Sequence, residues 1–255
     1  MRLISSLLRL SVPLAFWLGV WGGSAHAGVV QVAVAANFAA PFQKIAAGFE
    51  ADTGHQAQAI IGSTGKFHTQ IRAGAPFDVL LAADDETPRQ LESEGLAVKG
   101  QRFTYAKGKL VLWSAQAGLV DPQGEVLHKG AFKRLALAHP KLAPYGAAAV
   151  QALQCLGVYE RLSERLVMGD NIAQAWQFVS TGNAELGLLA LSQVAVPDRP
   201  RTGSWWMVPA RCYTPILQDA ALLTRGEHHA PARALLNYLK GDKARAVIQS
   251  YGYDL

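Results

Sequence analysis

Half of the 255 residues are apolar, and 24 Lys and Arg stand against 19 Asp and Glu, a formal net charge of +5. The apolar fraction is ample for a core. The mild charge, with no basic block of five or six residues, argues against a nucleic-acid partner.

Residues 1–27 read as an export signal. Arg2 and Arg9 form a positive start, residues 10–20 an apolar core, and Ala25-His26-Ala27 a small-x-small cleavage site. The apolar core is short for a membrane span and no stop-transfer pattern follows, which leaves a retained anchor as the weaker alternative. From Gly28 onward 228 residues remain, with 22 basic against 19 acidic, a net of +3. That length allows one large domain or two ordinary lobes. The expected product is exported and soluble.

Residues 29–34 alternate as a strand and break at Ala36-Asn37. A helical pattern follows, with Phe38, Phe42, Ile45 and Phe49 on one face. A strand that hands over to a helix through small residues leaves free backbone N–H groups at the positive end of the helix dipole, a place for an anion. Asn37 there is either an N-cap or an anion ligand. Asp52-Thr53-Gly54 ends the helix. A second strand, 58–61, runs into Gly62-Ser63-Thr64-Gly65 and a helix over 66–72. Ser63 and Thr64 could simply cap it, but glycines on both sides keep the backbone N–H groups uncovered, which capping does not require. Lys66 reads as part of a solvated face, and His68 as pointing away from the turn.

A third strand covers 77–83. Asp84 and Asp85 suit the start of the next helix, where Thr87-Pro88 fits an N-cap and first position. An apolar strand over 109–114 is followed by a strand at 135–138, and by Ala143-Pro144-Tyr145-Gly146 opening a long helix to about Gly157. A strand over 165–168 leads to Asp170-Asn171-Ile172 and a helix with Trp176 and Val179 inside. A further strand spans 186–191. Strands and helices alternate throughout, which predicts an α/β architecture with largely parallel sheets, and the second half repeats the plan of the first. Residues 213–223 are extended, and helices over 232–240 and 242–251 return to cover the first lobe. Two crossing segments, about 106–110 and 211–216, then form a hinge with a ligand cleft between the lobes. The predicted division is 28–107 with 213–255 as one lobe and 108–212 as the other.

Cys155 and Cys212 fall in no metal-ligand spacing. One disulfide is open to them in an exported chain, but Cys155 lies in the periodic run 147–156 and reads as a small buried residue, so the expectation is two unpaired thiols. His228-His229 reads as a solvated pair in a polar loop.

Four strand-to-helix turns therefore face one cleft: Ala36-Asn37, Ser63-Thr64, Tyr145-Gly146 and Asn171-Ile172. They offer neutral donors and contain no carboxylate, no histidine pair and no nucleophile with a base in reach, so an enzyme is not expected. Neutral donors at helix starts suit a small, fully ionised oxyanion. An anion carrying a proton would lack an acceptor, a penalty of roughly 1–3 kcal/mol, so a proton-free tetrahedral dianion is favoured.

VAVAANFAAPFQKIAAGFEADTG, IIGSTGKFHTQIRAGAPFDVLLAADD, RFTYAKGKLVLWS, LAPYGAAAVQAL and the ending YLKGDKARAVIQSYGYDL together resemble the periplasmic molybdate-binding proteins of ABC transporters, over essentially all of 28–255. The resemblance implies a type II periplasmic-binding-protein fold: two Rossmann-like lobes joined by two crossing strands, with the oxyanion between them. It implies a ligand set of Asn37, Thr64 with Ser63 beside it, and the backbone amides of Tyr145 and Ile172; Ala36 and Asn171 flank these. Many members carry a Tyr in the strand matching 186–191, where this chain has Ala190, and the expectation is that the Tyr145 hydroxyl takes its place. The implied role is periplasmic capture of molybdate, and of tungstate, for delivery to an inner-membrane ABC permease by a monomer. No cofactor is implied, and molybdenum enters only as the oxyanion, with no protein-metal ligand. The rivals are a binder of sulfate or another tetrahedral oxyanion, a secreted α/β enzyme, and a sensory or effector-binding domain.

Overall fold

A computed structural model describes residues 27–200 and 202–255. All but the last residue of the expected export signal lies outside the described residues. In chain order the elements are β1 (Val29–Ala35), α1 (Ala39–Thr53), β2 (Gln56–Gly62), α2 (Thr64–Arg72), β3 (Val79–Leu81), α3 (Glu86–Ser93), β4 (Phe103–Gly108) and β5 (Leu110–Ser114). Then come α4 (Val126–Lys129), β6 (Leu135–Ala138), α5 (Pro144–Cys155), α6 (Tyr159–Leu162), β7 (Leu166–Gly169), α7 (Ile172–Ser180), β8 (Leu186–Ala190) and α8 (Leu191–Val194). The chain ends with β9 (Ser204–Met207), β10 (Ile216–Leu222), α9 (Ala230–Lys240) and α10 (Asp242–Ser250).

The strands make two five-stranded sheets, β2-β1-β3-β10-β4 in lobe I and β7-β6-β8-β5-β9 in lobe II. β1 runs parallel to β2 and β3, and β6 parallel to β7 and β8. The sheets are nevertheless mixed rather than largely parallel. β10 is antiparallel to β3 and β4, and β5 is antiparallel to β8 and β9. The reason lies in the crossings: β1, β2, β6 and β7 finish at the cleft, whereas β5 and β10 enter their sheets from it and so run the other way. Only Lys109 separates β4 from β5, and residues 212–216 bring the chain back to lobe I.

In β1, Val30, Val32 and Val34 face one side, where Phe42, Ile45 and Phe49 of α1, Leu235 and Leu239 of α9 and Ile248 of α10 meet them. Ala33 faces the other side, with Phe67, Ile71 and Leu80. The two-residue period of a strand produces this split, and each fully buried Leu, Ile or Phe contributes about 1.5–3 kcal/mol. The C-terminal helices thus complete lobe I. Lobe II has its own core, built on Leu110, Leu112, Leu135, Leu137, Leu153 and Leu188. Gly54, at φ 73°, closes α1 in the left-handed conformation that a residue with a Cβ rarely adopts.

The cysteines correct the sequence expectation. Cys155 and Cys212 form a disulfide, with Cα atoms 5.3 Å apart. Cys155 sits in the last turn of α5, on its exposed side, and Cys212 lies in the second crossing. The helical periodicity of 147–156 does not bury that position.

Candidate anion-binding site

Four short connections put the starts of four helices at one point of the cleft. After β1 the chain turns at once into a 3-10 helix, Ala36–Phe38. Ser63 precedes α2, Ala143 precedes α5 with Pro144 at its first turn, and Asn171 precedes α7. The first N–H groups of a helix have no partner inside it, so each start aims donors and the positive end of a dipole at the cleft. All seven sequence-predicted residues, Ala36, Asn37, Ser63, Thr64, Tyr145, Asn171 and Ile172, line a single small cavity. The rest of its wall is Ala35, Gly62, Ala83, Ala143 and Pro144, so among the described residues no charged side chain lines it. Neutral donors gathered at helix starts suit a small anion.

The seven residues contribute in different ways. Ser63 is 3% exposed, and its Oγ is buried without a hydrogen-bond partner. It makes no capping bond to α2. A buried hydroxyl without a partner costs about 1–3 kcal/mol, and an anion in the cavity would satisfy it. The Thr64 hydroxyl beside it accepts a hydrogen bond from the Ala83 N–H at 3.0 Å. Asn171 is a helix cap: its Oδ1 accepts from the N–H groups of Ala173 at 3.0 Å and Gln174 at 3.1 Å. Those bonds leave the Ile172 N–H as the free donor at the start of α7.

Asn37 is neither a cap nor a simple side-chain donor. It sits inside the 3-10 helix with no side-chain capping bond on either flanking element. Its Nδ2 donates to Gln218 Oε1 at 2.8 Å and to the Tyr253 hydroxyl at 2.9 Å. Asn37 also lines the cavity, at the start of the 3-10 helix. The Tyr145 hydroxyl, expected to stand in for the Tyr missing at Ala190, accepts a hydrogen bond from Gln218 Nε2 at 3.2 Å, in the buried base of the cleft. Burial pushes its pKa well above the usual tyrosine value, and that of Tyr253 up to about 12, so both remain neutral hydroxyls.

The residues at that base, Gln218, Tyr253, Ser192 and Tyr105, were not anticipated from sequence. The Tyr253 hydroxyl donates to Ser192 Oγ at 3.0 Å, which donates to the Asn37 carbonyl at 2.9 Å. The one sequence signal was the polar pair Gln218-Asp219 inside an otherwise apolar strand; both are fully buried. Asp219 is held by Thr104 Oγ1 at 2.6 Å and by Arg102.

Contacts also cross the mouth of the cleft. The Gly65 N–H donates to the Leu142 carbonyl at 2.9 Å, and Lys66 pairs with Asp170 at 2.6 Å. Lys66 holds the Asp170 carboxyl below its usual pKa. Lys66 is therefore a cross-cleft partner and not only part of a solvated face. Beyond the Gly65–Leu142 contact lies a wider, solvent-open space of about 370 Å³ lined in part by His68 and Asp84. Burial raises the Asp84 pKa to about 6, against hydrogen bonds from Thr87 that lower it.

Residues 30–254 match the family described as bacterial extracellular solute-binding protein. The molybdate-binding protein ModA of Azotobacter vinelandii is 58% identical over 250 residues, 98% of each chain. The molybdate-binding protein ModA of Rhodobacter capsulatus is 50% identical over 229 residues, 90% of this chain and 89% of the other. The solved structure of the Azotobacter vinelandii periplasmic molybdate-binding protein superposes with a TM-score of 0.87 at 40% identity, covering 89% of this chain and 99% of that one.

Proposed function

We propose a transport role for this chain, which belongs to the bacterial extracellular solute-binding protein family: it captures molybdate in the periplasm and delivers it to the membrane permease of an ABC transporter. It is a binding component and not an enzyme, in keeping with relatives named as molybdate-binding proteins. The observation that carries the reading is the buried, unpartnered Ser63 hydroxyl in a cavity where four helix starts meet and no charged side chain enters.

In this reading the backbone N–H groups of Ala36, Asn37, Thr64, Tyr145 and Ile172 and the hydroxyls of Ser63 and Thr64 surround the oxyanion, and Asn171 holds the start of α7 in place. Two negative charges are compensated by helix dipoles and donors without an ion pair. Lobe I supplies the Ala36, Asn37, Ser63 and Thr64 donors, lobe II those of Tyr145 and Ile172. An ion bound by both lobes favours the closed arrangement, and the closed surface is what a permease distinguishes from the empty one. Tungstate, with the same charge and shape, binds in the same way. Hydrogen phosphate finds no carboxylate in the cavity lining to take its proton and is disfavoured by roughly 1–3 kcal/mol. The protein acts as a monomer without a cofactor, and molybdenum is present only as the oxyanion.

Titration calorimetry on the chain from Gly28 with molybdate, tungstate, sulfate and phosphate tests this. Tight binding of the first two is expected. Heat with sulfate or phosphate and none with molybdate sinks the molybdate assignment.

A further inference from the structure

Gln218 has no exposed surface, yet it touches turns of both lobes. Its Oε1 accepts from Asn37 Nδ2 at 2.8 Å and lies 3.1 Å from the Tyr105 hydroxyl; its Nε2 donates to the Tyr145 hydroxyl at 3.2 Å. Asn37 belongs to the first anion turn of lobe I and Tyr145 to the first anion turn of lobe II. One side chain on the returning strand therefore ties the two turns together beneath the cavity. The other crossing strand is shaped around this tie. A Cβ at Gly108 would overlap the Tyr145 hydroxyl and come within 2.7 Å of Gln218 Nε2.

A second stop stands at the mouth. Gly65 and Leu142 meet backbone to backbone, and a Cβ on Gly65 would lie 3.0 Å from the Leu142 carbonyl oxygen and 3.2 Å from its Cα. The lobes are thus in direct contact both below and beside the anion cavity. Packed contacts of this kind hold discrete arrangements and do not compress continuously.

We infer that the Gln218 tie and the Gly65–Leu142 contact fix the distance between the two sets of donors and so set which tetrahedral oxyanion fits, although Gln218, Gly65 and Leu142 do not line the cavity. The inference rests on the proposed anion-binding role. If the lobes come to rest against each other, the cavity cannot shrink around a smaller dianion. Donors on the far lobe then stand too far from its oxygens, and hydrogen bonds weaken steeply with distance.

The test is the ratio of molybdate to sulfate affinity, measured by calorimetry on wild type, Gln218→Met and Gly65→Ala. Methionine fills similar space without hydrogen bonds, frees the lobes to adjust, and is expected to lower the ratio about fivefold or more. The alanine methyl props the mouth open, and the smaller ion loses more, so the ratio rises by about the same factor. A role confined to stability would lower the melting temperature and leave the ratio where it was. Unchanged ratios in both variants overturn the inference. If Gln218→Met does not fold, Gly65→Ala decides alone, since Gly65 lies in a helix and has no left-handed φ. A wild-type chain that binds neither ion overturns the anion reading itself, which separates the two failures.

Discussion

The hydroxyl of Thr64 accepts a hydrogen bond from the backbone N–H of Ala83 at 3.0 Å, pinning the start of α2 to the end of β3, while Ser63, one residue before it, keeps a buried hydroxyl with no partner. Adjacent residues of nearly the same chemistry thus have different work. Thr64 holds the turn in shape, and its hydroxyl proton remains available to a ligand. In the proposed role, Ser63 takes the anion as its partner.

Ser63→Ala is therefore expected to weaken molybdate binding about 10- to 100-fold, the range of a hydrogen bond to a charged group. It should leave the melting temperature of the empty protein unchanged or slightly raised. Thr64→Val leaves the Ala83 N–H unpaired and should cost about 1–3 kcal/mol of stability. Calorimetry and thermal denaturation on both variants separate the roles. Wild-type affinity in Ser63→Ala would remove Ser63 from the ligand set.

The disulfide carries the second prediction. Cys155 and Cys212 close a chain segment with a sequence separation of 57, and they fasten the end of α5 to the returning crossing strand. In the chain-entropy account such a link stabilises by about 4 kcal/mol. The double variant Cys155→Ser with Cys212→Ser should lose about that much in denaturant unfolding. Neither sulfur lines the anion cavity, so molybdate affinity is expected to stay close to that of the intact protein. A large loss of affinity would show that α5 needs the tether to present Tyr145.

What was legible in the sequence follows the range of the interactions. The four turns could be read because each is local: a strand pattern, one or two small or polar residues, then a helix. The pairing of those turns in one cleft followed from the repeated strand-turn-helix plan and the two crossings, which set the carboxyl ends of the strands around one cleft. The half-buried strand Ser204–Met207 carries no alternation and was missed. The antiparallel members of each sheet were missed because strand direction depends on which end of the lobe the chain enters. The Gln218 tie joins residues 181 and 73 positions away in the chain; the polar pair in an apolar strand marks Gln218 as unusual, but nothing local says which residues it meets. Asn37 could be read as cap or ligand because both readings use the same helix start. Only the placement of Gln218 and Tyr253 shows where its amide points.

Asp84 gives a prediction in pH. Its Oδ1 accepts from the Thr87 N–H at 2.9 Å and its Oδ2 from the Thr87 hydroxyl at 3.2 Å, yet burial dominates and raises its pKa to about 6. A raised carboxyl pKa means that the fold favours the protonated form. Its contribution is full below about pH 4, the ordinary aspartate value, and is lost as pH rises through about 6. At pH 8 the charged group therefore costs on the order of 3 kcal/mol. Asp84→Asn keeps an acceptor for the Thr87 N–H without the charge. It should be more stable than wild type at pH 8 and equal to it near pH 4, by denaturant unfolding at the two pH values. An equal gain at both would place the effect outside the titration of Asp84.

Ile172 allows a backbone donor to be deleted almost alone. It is the first residue of α7, where proline is well tolerated because that N–H has no partner in the helix. The residue before it, Asn171, is extended at φ −148° and ψ 174°, a conformation compatible with a following proline, and Pro144 already occupies the corresponding place in α5. Ile172→Pro therefore removes one cavity-facing N–H and leaves the helix and the Asn171 cap intact. It also removes a buried side chain, 3% exposed, and truncation of this kind costs about 2–5 kcal/mol of stability. Ile172→Ala shares that truncation and keeps the N–H, so the pair isolates the donor. The alanine variant is expected to bind molybdate close to wild type, and the proline variant about 10- to 100-fold more weakly, with both showing native circular dichroism. If the two bind alike, the Ile172 amide does not hold the anion, and lobe II must grip it through Tyr145 alone.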